Sequence, residues 1–349
     1  MKKILIVTQS IDKKNLALGF FHEWVKEFSK SFENIVVVCL EKGDYDLPSN
    51  VRVISLGKEN ANFQFSIFNK AKYIWNFYKI IWQERKNYTS VFVHMNQEYV
   101  ILAGLWWKMA GKKIGFWYNH TYGSIFTKFA MFLSDIVFHT SPFAFTANTE
   151  KSIKMPAGID TEKFKKNIHI LPVKNSILYI GRIAPVKDLM TLIEAVLILE
   201  KKGLDFNLNI YGEALEKDHD YKQKVLSLAK SLIEKGKVKF CGSVVNSETP
   251  DLYSSHEVFV NLTPRGNFDK TVLESMACES MPIVSSEAFS DIIPKYIFAE
   301  KDAGDLAEKI EFVFSMSPQA KAEGGKKLRE IVLERHDLRK LSEEIYKFI

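Results

Sequence analysis

The stretch Phe259–Ser286, FVNLTPRGNFDKTVLESMACESMPIVSS, divides into three parts. An apolar run ends at Asn261, a polar, glycine-bearing turn spans Thr263–Lys270, and a helix-like run covers Thr271–Cys278. A short apolar strand, Met281–Ser285, follows. A strand that feeds a helix through such a turn aims the helix's free N–H groups above the sheet, which suits a phosphate. The same pattern opens the second half of the chain: strand Ser176–Ile180, a turn at Gly181–Asp188 (GRIAPVKD), and a helix over Leu189–Lys202. Arg182 and Lys187 give that turn a guanidinium fork and a point charge, the two ways a side chain meets a diphosphate.

Outward from these turns, strands alternate with helices along the whole chain. Lys3–Thr8, Ile35–Leu40, Val51–Leu56, Ser90–His94 and Lys113–Tyr118 read as buried strands in the first half, with Asp135–Phe138 and Ala144–Thr146 as short closing strands. Helical periodicity marks Phe20–Phe32, Phe63–Lys86, Val100–Ala110 and Phe126–Phe132. In the second half, strands Phe206–Tyr211, Val238–Cys241 and Val258–Leu262 interleave with helices Tyr221–Lys235 and Pro250–Ser255. Such alternation predicts parallel, doubly wound α/β sheets, and 349 residues are enough for two of them. The Pro-x-Gly turn in KMPAGIDTEKF (154–164) and the polar stretch Ile168–Asn175 place the boundary at 167–168. Domains of 1–167 and 168–337 follow. A last helix over 338–349 has apolar spacing that suits either domain, including a return onto the first.

Composition narrows the function classes. Residues 1–170 carry 23 Lys/Arg against 14 Asp/Glu and hold all six Trp, whereas the remainder is mildly acidic. Nucleic acid would match the charge, but no helix-turn-helix, RNP or zinc-finger spacing is present. A membrane surface or an anionic lipid-linked substrate matches both the charge and the indoles. In Phe63–Lys86, the aromatics Phe68, Trp75, Tyr78 and Trp82 recur at helical spacing among Lys70, Lys72 and Lys79. One reading is a core-facing stripe with a solvated basic face; the other is a surface helix that dips aromatics among lipid headgroups. No apolar run reaches membrane-spanning length, and MKKILIVTQS is too short in its apolar run for a signal peptide. Cys39, Cys241 and Cys278 sit beside apolar residues without ligand spacing, so buried, reduced thiols in a cytoplasmic protein are expected.

Several chemistries lack their signatures. No GxGxxG follows the first strand, where only Gly19 in DKKNLALGFF stands, so a dinucleotide fingerprint is missing. No HExxH is present. Asp44-Tyr45-Asp46 and Asp218-His219-Asp220 match the carboxylate pattern that holds Mn²⁺ with a diphosphate, but both lie in polar segments rather than after a buried strand. Thr271 and Glu274 have capping-box spacing, and by spacing alone Glu274 is expected to close that box. The alternative is that Glu274 accepts two vicinal hydroxyls of a ligand while the amides of Lys270 and Thr271 face phosphate.

Taken in order, GRIAPVKD (181–188), IYGEA (210–214), FCGSV (240–244) and NLTPRGNFDKTVLESMACESMPIV (261–284) resemble the C-terminal half of family-four retaining glycosyltransferases of GT-B fold. PAGID (156–160) resembles the segment that opens that half. The match covers roughly 154–290 well and the first half loosely. The resemblance implies two facing Rossmann-like domains with a cleft between them. It also implies transfer of a sugar from a nucleotide-diphosphate sugar (UDP- or GDP-linked), without a metal cofactor, to a saccharide or lipid-linked acceptor in cell-envelope polysaccharide or glycoconjugate synthesis. A cytoplasmic location, peripheral on the inner face of the membrane, would go with it.

By position, the resemblance assigns Gly181, Arg182, Lys187, Gly212, Glu213, Gly242 and Val244 to the donor side, with Arg182 and Lys187 on the diphosphate. It assigns Phe268, Asp269, Lys270 and Thr271 to the donor sugar and phosphate, and Glu274 to the ribose. Gly19, His94 and His120 fall on the acceptor side, and His120 in FWYNHTYGS fits the family's catalytic His better than His94. Two departures stand out. The first Glu of the family's Glu-x7-Glu is replaced by Gly266, with Asp269 as a substitute carboxylate, and the glycine-rich turn after the first strand is reduced to Gly19. The missing Glu motivates two rival readings: a non-catalytic nucleotide-sugar-binding protein, and an epimerase of the nucleotide sugar.

Overall fold

The computed structural model describes residues 2–15, 18–60 and 67–349, without the side chains of Ile67 and Phe68. Contacts divide the chain into two units, Met1–Gly158 with Leu338–Ile349, and Ile159–Asp337.

The first unit runs β1 (Lys3–Ile11), α1 (Gly19–Phe28), β2 (Asn34–Lys42), β3 (Val51–Ser55), α2 (Ile67–Gln83), β4 (Ser90–His94), α3 (Gln97–Met109), β5 (Lys113–Trp117), α4 (Ile125–Leu133), β6 (Ile136–His139) and β7 (Ser152–Lys154). All seven strands are parallel, in the order β3-β2-β1-β4-β5-β6-β7. Alternation along β1 sends Ile4 and Ile6 to one face and Leu5 and Val7 to the other, and both faces are covered by helices. Helices α2, α3 and α4 bury Phe77, Ile80, Ile81, Ala103, Trp107, Ala130 and Leu133 against one face. Helix α1 buries Phe21, Trp24 and Phe28 against the other.

Two expectations change here. Ala144–Thr146 is not a strand: Phe145–Asn148 forms a 3-10 turn, and the closing strand is β7. Phe145 N donates to His120 O at 2.8 Å and Thr146 Oγ1 to Tyr118 O at 2.7 Å, so this segment is fastened to the end of β5 instead of joining a ladder. Trp75 and Trp82 do not face the core, because the inward positions of α2 belong to Phe77, Ile80 and Ile81. The earlier part of the expected helix, Phe63–Ser66, and the Phe68 side chain lie outside the described residues.

The second unit runs β8 (Val173–Ile180), α5 (Leu189–Lys201), β9 (Asn207–Tyr211), α6 (His219–Glu234), β10 (Val238–Phe240), α7 (Thr249–Ser255), β11 (His256–Asn261), α8 (Lys270–Ala277), β12 (Met281–Val284), α9 (Ala303–Ser315) and α10 (Pro318–Arg335). Its five strands are parallel in the order β10-β9-β8-β11-β12. Chain order therefore reverses between β8 and β11, the topological switch point of this sheet.

The division at Gly158–Ile159 precedes the expected boundary at 167–168. Ile159 bridges to Asp337, and the Arg329 guanidinium donates to the carbonyls of Phe164 at 2.8 Å and Thr161 at 3.1 Å, tying this segment to the second unit. Val173–Asn175, read as linker, open β8.

The chain then returns to the first unit through α11 (Leu338–Phe348), whose Leu338, Leu341 and Ile345 pack with Trp24 and Phe28. A Cβ on Gly115 of β5 would meet Ile349 Cδ1 at 2.6 Å, so the missing side chain makes the seat for the C-terminus. Cysteines Cys39 and Cys278 are buried, but Cys241 is exposed, because it follows a three-residue edge strand instead of filling a core strand.

Candidate active site

The turns after β8 and β11 leave adjacent strands at the switch point, where an open parallel sheet has its natural crevice. Within the second unit they meet through one ion pair. Lys187 Nζ lies 2.7 Å from Asp269 Oδ2 and 3.0 Å from Thr263 Oγ1. Asp269 Oδ2 also accepts from Thr263 Oγ1 at 2.9 Å and Asn261 Nδ2 at 3.2 Å. Its Oδ1 accepts from Thr271 N at 3.2 Å and Thr271 Oγ1 at 2.9 Å. Burial works to raise the Asp269 carboxyl, but the Lys187 charge and hydrogen bond, with those from Thr271 and Asn261, hold it well below the usual carboxylate range.

Asp269 is thus the N-cap of α8, and the capping box expected at Thr271–Glu274 does not form. A capping carboxylate that also pairs with Lys187 is a stronger anchor for the helix start than a hydroxyl two positions on. Both Thr271 and Glu274 therefore lie inside the helix, and the Thr271 amide is taken by the cap. Glu274 is free of any end-capping task. It is buried beside Tyr253, whose hydroxyl donates to Oε2 at 3.4 Å. Burial raises the Glu274 carboxyl, with Lys270 opposing and Asp269 adding. Burial likewise lowers the Lys270 ammonium, with Glu274 opposing.

The remaining donor-side candidates line up along the same edge of the sheet. Gly181 N donates to Tyr211 O at 3.0 Å, Ile183 N to Glu213 O at 3.0 Å, and Gly212 N to Gly242 O at 2.7 Å. The ends of β8, β9 and β10 are stitched together by these bonds. Gly212 has φ 142, and a Cβ there would fall 1.9 Å from Gly181 O, so only glycine permits the approach. Glu213 pairs with Lys222 at 2.6 Å, while Val244 follows the β10 turn half-buried. Tyr179, fully buried, donates to Arg182 O at 3.1 Å and fixes the backbone of the first turn. The Arg182 side chain is exposed and makes no ion pair among the described residues. Phe268 stacks on Phe289, centroids 4.3 Å apart, so its ring belongs to the turn's packing.

Gly266, which replaces the family's first Glu, has φ 82 and is buried; a glutamate would be strained in that conformation. Sequence reasoning passed over the partners that hold this region together: Thr263 and Asn261 on Asp269, Tyr253 on Glu274, and Lys163, whose charge acts on Glu274 and which donates to Asn246 Oδ1. Asn261, a polar residue ending the buried run VFVN, was the available signal. Among the described residues no group of three or more His, Cys, Asp or Glu is arranged to hold a metal ion.

In the first unit, His94 ends β4 and is buried, stacked on Phe21 at 4.2 Å and edge-on to Trp24 at 5.8 Å. His120 lies beyond β5, exposed, with its ring 5.2 Å from Tyr118. Gly19 opens α1.

Residues 160–329 match the family described as glycosyl transferases group 1. No curated protein matches the chain. Among solved structures, HepE from Anabaena in complex with UDP and glucose shares 15% identity over 99% of both chains, with a TM-score of 0.78. Sucrose-phosphate synthase from Thermosynechococcus elongatus shares 14% over 99% of this chain and 98% of its own, at 0.79. WaaG, a glycosyltransferase involved in lipopolysaccharide biosynthesis, shares 14% over 99% of both, at 0.70. At these identities the likeness is one of fold. The second unit thus matches the family of glycosyl transferases group 1 over residues 160–329, and the chain as a whole shares the fold of GT-B glycosyltransferase structures.

Proposed function

We propose that the protein transfers a sugar, with retention of anomeric configuration, from a uridine-diphosphate sugar to a hydroxyl of a saccharide or lipid-linked glycan, working at a membrane surface in cell-envelope polysaccharide or glycoconjugate synthesis. The observation that carries this reading is the meeting of the two turns at the switch point, where Lys187 reaches the start of α8 and Arg182, on the same turn as Lys187, is exposed. HepE, similar in fold, holds UDP and glucose, which supports the uridine nucleotide.

Departure of the nucleoside diphosphate leaves cationic character on the anomeric carbon and negative charge on the leaving phosphate. Arg182, exposed on the first turn, offsets that negative charge where it develops, and Lys187, shared with Asp269, adds to it. Transfer then needs no metal for this task. Glu274 receives the ribose hydroxyls: it is spared from capping, and Tyr253 orients it. The acceptor hydroxyl attacks from the face the phosphate leaves, forming the new C–O bond as the old one breaks, and its proton passes to the leaving phosphate.

The test is turnover of UDP-sugars with acceptor extracts. Release of free UDP above the acceptor-free rate, undiminished by EDTA, is expected. No release with any donor and extract would leave a nucleotide-sugar-binding protein, and conversion of the donor alone would indicate an epimerase.

A further inference from the structure

Helices α2, α3 and α4 form one layer on one face of the first unit's sheet, and their inward residues complete that core. Their outward residues are apolar as well. Trp75 is 72% exposed and Trp82 57% on α2, Leu105 62% and Met109 74% on α3, and Phe126 62% and Phe132 70% on α4. The layer is continuous: Tyr78 Oη donates to Leu102 O at 2.9 Å, and the rings of Trp82 and Trp106 lie 6.3 Å apart. A Cβ on Gly104 of α3 would meet Leu133 of α4 at 3.1 Å. An outer surface this rich in aromatics marks an interaction site.

Charge selects the partner. Neither α2 nor α4 contains an Asp or Glu, whereas Lys70, Lys72, Lys79 and Lys128 are exposed on them and make no ion pair among the described residues. Arg85 stacks over Trp82 at 4.4 Å and Lys151 over Phe132 at 5.9 Å, so cations border the exposed rings. Protein interfaces deplete lysine at their centres. Indoles and phenyl rings interleaved with unpaired lysines match the headgroup zone of an anionic bilayer. No helix among the described residues is long and apolar enough to cross a membrane, so the layer would lie on the surface.

We infer that the outer face of α2–α4 docks on an anionic lipid bilayer. This deepens the proposed function, resting on its membrane-borne acceptor, and it uses none of the donor-site residues. The aromatics enter the headgroup region and the lysines neutralise lipid phosphates, so binding weakens with salt.

Vesicle co-sedimentation of the full chain tests this, with phosphatidylcholine alone and mixed with phosphatidylglycerol, at low and high salt. Wild type is expected to sediment with the anionic vesicles only and to be released by salt. Replacing Lys72, Lys79 and Lys128 together by Gln should lower partitioning about 100-fold, and Trp75→Ala with Phe132→Ala about tenfold. Both variants should keep the wild-type melting temperature and its rise with UDP. Variants that sediment like wild type would overturn the proposal. So would a wild type that ignores anionic vesicles, or one that forms a dimer in light scattering which Trp75→Ala with Phe132→Ala abolishes. Vesicle binding without any UDP-induced rise would sink the donor reading and leave the docking surface standing.

Discussion

The loops at the switch point of the second unit and the outer layer of the first are opposites. In the loops, Asp269 alone accepts from four residues, and Lys187 is already matched by a carboxylate within the chain. On the α2–α4 face, Trp75 and Phe132 stand exposed, and Lys70, Lys72, Lys79 and Lys128 make no ion pair among the described residues. Preorganised polar groups gain specificity by costing little to rearrange when charge develops on a ligand. An unpartnered apolar, cationic face gains affinity from area and summed charge, with little directional demand. On our proposals, one region recognises a small anion in one pose and the other adheres to an extended surface.

The comparison breaks most visibly within α2. Phe77→Ala should cost about 4 kcal/mol of stability in urea unfolding, whereas Trp75→Ala should stay within about 0.5 kcal/mol. Similar losses for both would return the aromatic stripe to the core and remove the contrast. In the loops, Gly212→Ala should cost about 3 kcal/mol, because its Cβ would displace the Gly181 carbonyl from the stitched strand ends. Uridine-diphosphate binding should fall with it. A variant that melts and binds like wild type would show that the stitching is dispensable.

A smaller effect sharpens the electrostatics. The folded Asp269 carboxyl lies below its ordinary value of 3.8, so its contribution to stability is present above that pH and is lost as pH falls through and below it. Asp269→Asn should lose about 1 kcal/mol at neutral pH and flatten the acid limb of the stability curve relative to wild type. Parallel curves would mean that the Lys187–Asp269 pair does not stabilise the fold.

Much of this contrast was legible in the residues. Buried β-branched runs such as IVVVCL, alternating with helical stretches, announced two parallel sheets. What escaped depended on which local device wins. Spacing favoured Thr271 and Glu274 as a capping box, yet Asp269 takes the cap because Lys187, distant in sequence, anchors it. The stripe in α2 has one period whichever side it faces, and only the packing of Phe77, Ile80 and Ile81 decides that Trp75 looks outward. Helices α9 and α10 went without a reading, although Asp302 and Ser317–Pro318 are ordinary start signals whose side chains accept from Asp305 N and Ala320 N.

The central claim is that the turn carrying Arg182 holds a nucleotide's phosphates. Titration of UDP and of uridine into the full chain and into its Arg182→Ala variant tests it directly. A loss of roughly 30-fold for UDP is expected, with uridine affinity unchanged. Equal losses for both ligands, or none for UDP, would contradict the account.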